Sequence, residues 1–221
     1  MVMSFLSKIN NSVLFKTLTR STLDRAIIPV ISEYSKGNVL DVGAMHQPYR
    51  KYITCDNYSV LDIRDSTATY HMDIHDTDIP SGEFDTIIAT EVLEHLYNPF
   101  QAVDEMHRLL RAGGYLIAST RFIYHYHGSP DDYFRFTEHG LDVLFSKFPN
   151  RTIIRLGDLP ASILDLMTTN NFLFKLLRPL ALFYPKGINK KTKAPLGFVV
   201  VAQKEGNESQ NEYKPDDIEN E

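Results

Sequence analysis

Four short runs between residues 38 and 119 are apolar on consecutive positions rather than alternate ones: 38–42 (NVLDV), 59–63 (SVLDI), 84–89 (FDTIIA) and 115–119 (YLIAS). A strand with one wet face alternates apolar and polar residues, so runs of this kind predict strands covered on both sides. Weaker strands are expected at 68–72, 152–156 and 197–202, which makes seven. Between them lie segments of helical period. Residues 98–110 carry Pro99 in the first turn and an apolar face of Ala102, Val103, Met106, Leu109 and Leu110. Arg111-Ala112-Gly113-Gly114 then reads as a helix stop and tight turn, and 137–148 reads as a helix capped by Thr137. Strands alternating with helices indicate an α/β fold on a largely parallel sheet. Such a sheet binds its ligand outside the carboxyl ends of the strands.

The ends of the chain read differently. Phe5, Ile9, Leu23, Ile27, Val30 and Ile31 follow helical spacing as far as Ser35-Lys36-Gly37, with Pro29 expected to break or kink the helix. The expected division is a helical segment at 1–36, an α/β domain at 37–204 with a helical insertion at about 157–196, and a tail at 205–221. The tail holds seven acids against Lys214 alone and reads as disordered. The net charge of −5 offers no basic face for phosphates, which argues against nucleic acid as a partner. The single cysteine, Cys55, excludes an intramolecular disulfide, and with no secretory signal or membrane-spanning stretch expected, the setting reads as cytoplasmic.

Three acids fall at successive strand ends: Asp41 before Gly43, Asp62, and Asp73. A dinucleotide fold would show three glycines after its first strand, to clear space for a pyrophosphate on a helix N-terminus. Here a single glycine follows an acid, which suits a positive group better than an anion. An acid at 62 can accept both hydroxyls of a ribose, and one at 73 can accept an exocyclic amine. The implied ligand is a cationic nucleoside without phosphates.

S-adenosyl-L-methionine is a molecule of that kind, and the chain resembles the class I S-adenosylmethionine-dependent methyltransferases, in particular their small-molecule, type 11-like group. The resemblance is carried in register by Val39-Leu40-Asp41-Val42-Gly43, Asp62-Ile63, Asp73-Ile74, Phe84-Asp85-Thr86-Ile87, Val92-Leu93-Glu94-His95 and Leu110-Arg111-Ala112-Gly113-Gly114. It implies a Rossmann-like fold whose mostly parallel seven-stranded sheet carries helices on both faces and an antiparallel last strand. It also implies that Asp41, Gly43 and Ala44 lie beside the methionine moiety, that Asp62 and Ile63 hold the ribose, and that Asp73 and Ile74 contact adenine. Thr90 and Glu91 would line the site near the donor methyl. Met45 replaces the family's second glycine, which bears on cofactor affinity. Asp85 reads as a structural hydrogen-bond partner.

Methyl transfer to a hydroxyl benefits from a base. His95, just after the fourth expected strand, is the candidate; the other reading is a ring that packs and bonds to backbone. The segment from Arg121 to Thr137 mixes three Tyr, three Phe, two His, two Asp and two Arg, a combination suited to a polyhydroxylated acceptor. Its Pro130-to-Thr137 portion resembles methyltransferases associated with surface-glycan synthesis. Tyr124, His125, His127, Asp132, Tyr133 and Arg135 are the candidate acceptor residues, with loop anchoring as the other reading for part of the set. His71 with His75, and His125 with His127, come without a full ligand set, so no metal is assigned. Leu166 to Lys204 carries seven Lys or Arg and no acid, so 166–193 is either a peripheral membrane contact or a lid or dimer-packing helix with solvated lysines. The oligomeric state is not set by the sequence. The activity expected is O-methylation of a sugar or glycan precursor. Methylation of a lipid or other small molecule, or a non-catalytic role, are the alternatives.

Overall fold

A computed structural model of the chain describes residues 17–44, 46–128, 130–170 and 191–206. Met45, residues 1–16, most of the acidic tail and 171–190 of the insertion lie outside the described residues. Helix α1 (Leu18–Tyr34) is followed by β1 (Asn38–Val42), β2 (Asn57–Leu61) and β3 (Phe84–Thr90). Then come α2 (Pro99–Leu109), β4 (Leu110–Arg121), α3 (Glu138–Leu144), β5 (Asn150–Leu156), α4 (Leu159–Asn170) and β6 (Gly197–Gln203).

The strands form one sheet in the order β2-β1-β3-β4-β6-β5. The first four neighbours pair in parallel, and β6 runs antiparallel between β4 and β5, as expected of the last strand. Among the described residues the sheet has six strands, not the seven expected. At 68–72 only Tyr70 pairs, in a single parallel bridge to Leu61. Thr69 Oγ1 there accepts the N–H of Val60, which a longer ladder would give to a backbone carbonyl.

Both faces of the sheet are buried. Val39, Ile88, Ile117 and Val199 point to the side covered by Leu23, Ala26, Ile27 and Ile31 of α1. Leu40, Val42, Ile87 and Leu116 point to the other, against Ala102, Val103, Met106 and Leu109 of α2 and Leu141 and Leu144 of α3. Each fully buried aliphatic side chain of this kind contributes about 1.5–3 kcal/mol. Thr17 caps α1 by accepting from the Arg20 N–H, and Asn98 caps α2 ahead of Pro99. Pro29 does not break α1, because the backbone bond it cannot donate falls on the solvent side of the helix. Asp85 accepts from the Asn38 N–H at 2.7 Å and from Arg111, tying the starts of β1 and β4 together. Asp165 of α4, 1% exposed, accepts from the N–H and hydroxyl of Thr19 and so fastens α4 to α1. Among the described residues no helix is long and apolar enough to cross a membrane.

Candidate active site

The strand order reverses between β1 and β3, and a cavity of about 470 Å³ opens there at the carboxyl ends. Its walls come from three strand ends: Val42 and Gly43 after β1, Leu61 to Arg64 after β2, and Glu91 and Val92 after β3. Met72 to His75, His95 to Tyr97, Pro130, Asp131 and Tyr133 complete it. Gly43 turns the chain at φ 66°, and a Cβ there would stand 2.8 Å from Val92 Cγ2. No side chain fits without moving the cavity wall.

Of the expected cofactor residues, Gly43, Asp62, Ile63, Asp73, Ile74 and Glu91 line this cavity. Asp62 Oδ1 accepts the N–H groups of Arg64 and Asp65, which fixes the carboxylate just past the end of β2. Asp73 is held by His75. The Asn98 N–H approaches Nε2 of His75 at 3.4 Å and can only donate, so Nδ1 carries the proton and donates to Asp73 Oδ1 at 2.6 Å. In each acid one oxygen is spent on orientation, which leaves the other to a ligand.

Asp41, Ala44 and Thr90 do not line the cavity. Asp41 points to the α1 side of the sheet, where its Oδ2 accepts from the Tyr58 hydroxyl at 2.7 Å. Burial pushes its carboxyl up to about 7 against the lowering effect of that bond. Ala44 is 5% exposed and packed inside the turn, and Thr90 lies on the parity of Ile88 rather than Ala89. His75 and Tyr97 belong to the site without any periodicity in the sequence to mark them. Their rings stack with centroids 3.9 Å apart at the cavity wall.

Beside the cavity runs an open groove of about 260 Å³ lined by Tyr124, Tyr126, Asp132, Tyr133, Phe134 and Arg135. Tyr133 borders both spaces. Arg135 ion-pairs with Asp132 and holds its carboxyl below the usual range. His125 and His127, both expected on the acceptor side, do not line the groove. His125 Nε2 donates to the Leu166 carbonyl at 2.9 Å, and the His127 N–H donates to Asp132. Burial, with the positive charge of Arg121, depresses the His127 pKa and favours a neutral ring.

His95 lines the cavity, and its Nδ1 lies 2.7 Å from the carbonyl of Asp131. A carbonyl only accepts, so Nδ1 carries the hydrogen and Nε2 of the neutral ring carries the lone pair. Both readings of His95 therefore meet in one geometry: the backbone bond is made, and it leaves a basic nitrogen. Behind it Glu94 is 2% exposed, with Oε2 accepting from Thr120 and Oε1 without a hydrogen-bond partner among the described residues. Desolvation, helped by the charge of Glu91, pushes the Glu94 carboxyl up to about 8. Among the described residues no group of three or more His, Cys, Asp or Glu converges as a metal site would require.

The residues present fit S-adenosylmethionine: an apolar floor of Leu61, Ile74 and Leu96, two oriented carboxylates, and a glycine turn too tight for a side chain. Residues 40–118 match a family model described as a methyltransferase domain. No curated protein matches the chain in sequence. Among solved structures, a SAM-dependent methyltransferase from Archaeoglobus fulgidus superposes with a TM-score of 0.54 at 14% identity, covering 85% of this chain and 93% of its own. The YcgJ protein from Bacillus subtilis gives 0.54 at 13%, covering 85% and 100%. The CurJ carbon methyltransferase gives 0.52 at 16%, covering 86% of this chain and 54% of its own. At these identities the likeness bears on the fold, and the family model bears on the chemistry. Over residues 40–118 the chain thus resembles a methyltransferase domain, and the solved structures share its fold.

Proposed function

We propose that the enzyme methylates a hydroxyl oxygen of a sugar or glycan precursor. The observation that carries this reading is the groove that shares Tyr133 with the donor cavity, where four aromatic rings stand around an Asp132–Arg135 ion pair. Rings give a sugar its stacking surfaces, and ion-paired polar groups meet its hydroxyls. S-adenosylmethionine, when bound, supplies a methyl carbon on a positively charged sulfur. Asp62 and Asp73 hold the nucleoside end, by ribose and adenine respectively. The groove holds the acceptor so that its hydroxyl faces the donor cavity beside His95, and Nε2 of His95 takes the hydroxyl proton. Orientation of the two partners and removal of water are the larger contributions, and the base adds about 10²–10⁴-fold.

The test is to incubate the enzyme with methyl-labelled S-adenosylmethionine and the saccharide and glycolipid fractions of a cell extract, then hydrolyse the product. The reading requires label in an O-methyl sugar. Label on nitrogen, on carbon or on a non-sugar oxygen contradicts it.

A lipid-linked acceptor, met at a membrane surface, is favoured by a separate observation. Leu159, Ile163 and Met167 are 54%, 50% and 44% exposed at i, i+4, i+8 on α4, the helix to which His125 ties the acceptor segment. The acid-free basic stretch follows directly. Flotation with phosphatidylglycerol vesicles but not phosphatidylcholine vesicles, lost in Ile163→Asp, supports this form; equal flotation of the variant opposes it.

A further inference from the structure

The donor cavity and the acceptor groove are joined by one side chain that belongs to the lining of neither. Arg121 ends β4. Its Nε ion-pairs with Oε2 of Glu91, a donor-cavity residue, while its Cζ lies 3.8 Å from the centroid of the Tyr124 ring, a groove residue. Glu91 is fixed from below by three bonds with Ser119: its N–H to the Ser119 carbonyl at 3.0 Å and to the hydroxyl at 3.1 Å, and its Oε1 accepting from that hydroxyl at 3.1 Å. It is held in the left-handed region at φ 57°, a conformation that costs a non-glycine residue about 1–3 kcal/mol and persists only where the surroundings enforce it. Tyr124 continues the chain of contacts. Its ring meets that of His127 at 6.2 Å, and His127 meets His95 at 5.6 Å.

We propose that Arg121 is a positioning residue that couples the two pockets, holding Glu91 by its edge and Tyr124 by its face so that filling the donor cavity reorients the acceptor groove. The proposal rests on the assignment of the cavity to S-adenosylmethionine. That molecule brings positive charge to a space whose wall includes Glu91, the residue whose carboxylate Arg121 holds. A guanidinium is one rigid plane, so any change in the Glu91–Nε contact tilts the face presented to Tyr124. Coupling between sites of this kind is reciprocal. The groove that positions the acceptor is then set by whether the donor has already bound.

The chain contains no tryptophan, so Tyr124→Trp introduces a single emission reporter on the groove side of Arg121. S-adenosylmethionine is titrated into the full-length variant by calorimetry and by fluorescence in parallel. The proposal requires a saturable change in the emission of the introduced indole with the same midpoint as the heat signal. It also requires loss of that change in the Arg121→Met and Arg121→Lys backgrounds while the heat signal persists. Arg121→Lys keeps the charge but not the planar face. Heat without an emission change, or an emission change of equal size without Arg121, overturns the coupling. Absence of heat in the unaltered chain overturns the cofactor assignment itself and the coupling with it. Should the Tyr124→Trp variant fail to fold, hydrogen exchange over residues 121–128 is compared in the unaltered chain and in Arg121→Met. Ligand-dependent protection present in the first and absent in the second is required, and equal protection in both refutes the proposal.

Discussion

Glu94→Gln isolates the most costly electrostatic feature of the site. Glu94 sits in the turn Leu93–His95, is 2% exposed, and accepts from Thr120 Oγ1 at 2.9 Å through one oxygen while the other is buried. Desolvation and the nearby charge of Glu91 push its carboxyl up to about 8, so at neutral pH the folded chain keeps it protonated while the unfolded chain ionises it. The folded state then binds the extra proton, and stability falls as pH rises from the ordinary carboxylate range of about 4–5 through the folded value, levelling off above it. Each pKa unit corresponds to a little over 1 kcal/mol, so the full shift sets a ceiling of roughly 5 kcal/mol, which relaxation of a real site reduces. Glutamine keeps the shape and the acceptor for Thr120 and does not titrate. Urea unfolding of both proteins between pH 5 and pH 9 should show the parent losing at least about 1 kcal/mol relative to Glu94→Gln. Asp41, whose carboxyl burial pushes up to about 7, titrates in the same direction in both proteins and drops out of the difference. A difference between the two proteins that stays constant across that pH range would refute the reasoning.

Two further outcomes are expected. His95→Ala should lower turnover by about 10²–10⁴-fold with S-adenosylmethionine affinity changed by no more than a few-fold, read by single-turnover kinetics beside calorimetry; unaltered turnover removes His95 as the base. Gly43→Ala places a methyl 2.8 Å from Val92 Cγ2 at φ 66° and should destabilise the fold by about 1–3 kcal/mol while weakening cofactor binding, and a variant with parent-like melting and affinity contradicts the tight-turn account.

The strands were legible where packing left no ambiguity. β1, β3 and β4 are sandwiched between α1 and the α2–α3 layer, so apolar residues run consecutively along them. The segment 68–72 has no such sandwich and makes one bridge. Pro29 misled because sequence does not say which side of a helix meets solvent, and here that side tolerates the missing donor. The acids at the strand ends divide on parity. Asp62 and Asp73 lie in turns beyond the last paired residue and face the cavity, whereas Asp41 is still inside β1 and shares the α1 face with Val39. Alternation along a strand has a period of two, so one residue of difference in where a strand ends moves an acid from the site to the opposite face. The bond of Arg121 to Glu91 joins positions set by a turn and by a neighbouring strand, and no spacing rule reaches it.

Calorimetry of the full chain with S-adenosylmethionine and with NAD, repeated on Asp62→Asn, addresses the central claim most directly. Asp62→Asn is preferable to alanine because Oδ1 also accepts the N–H groups of Arg64 and Asp65, which asparagine continues to satisfy. The account predicts one-to-one binding of S-adenosylmethionine, about tenfold or more weaker in the variant through loss of a charge-assisted contact, and no binding of NAD. NAD binding, or S-adenosylmethionine affinity untouched by Asp62→Asn, would contradict it.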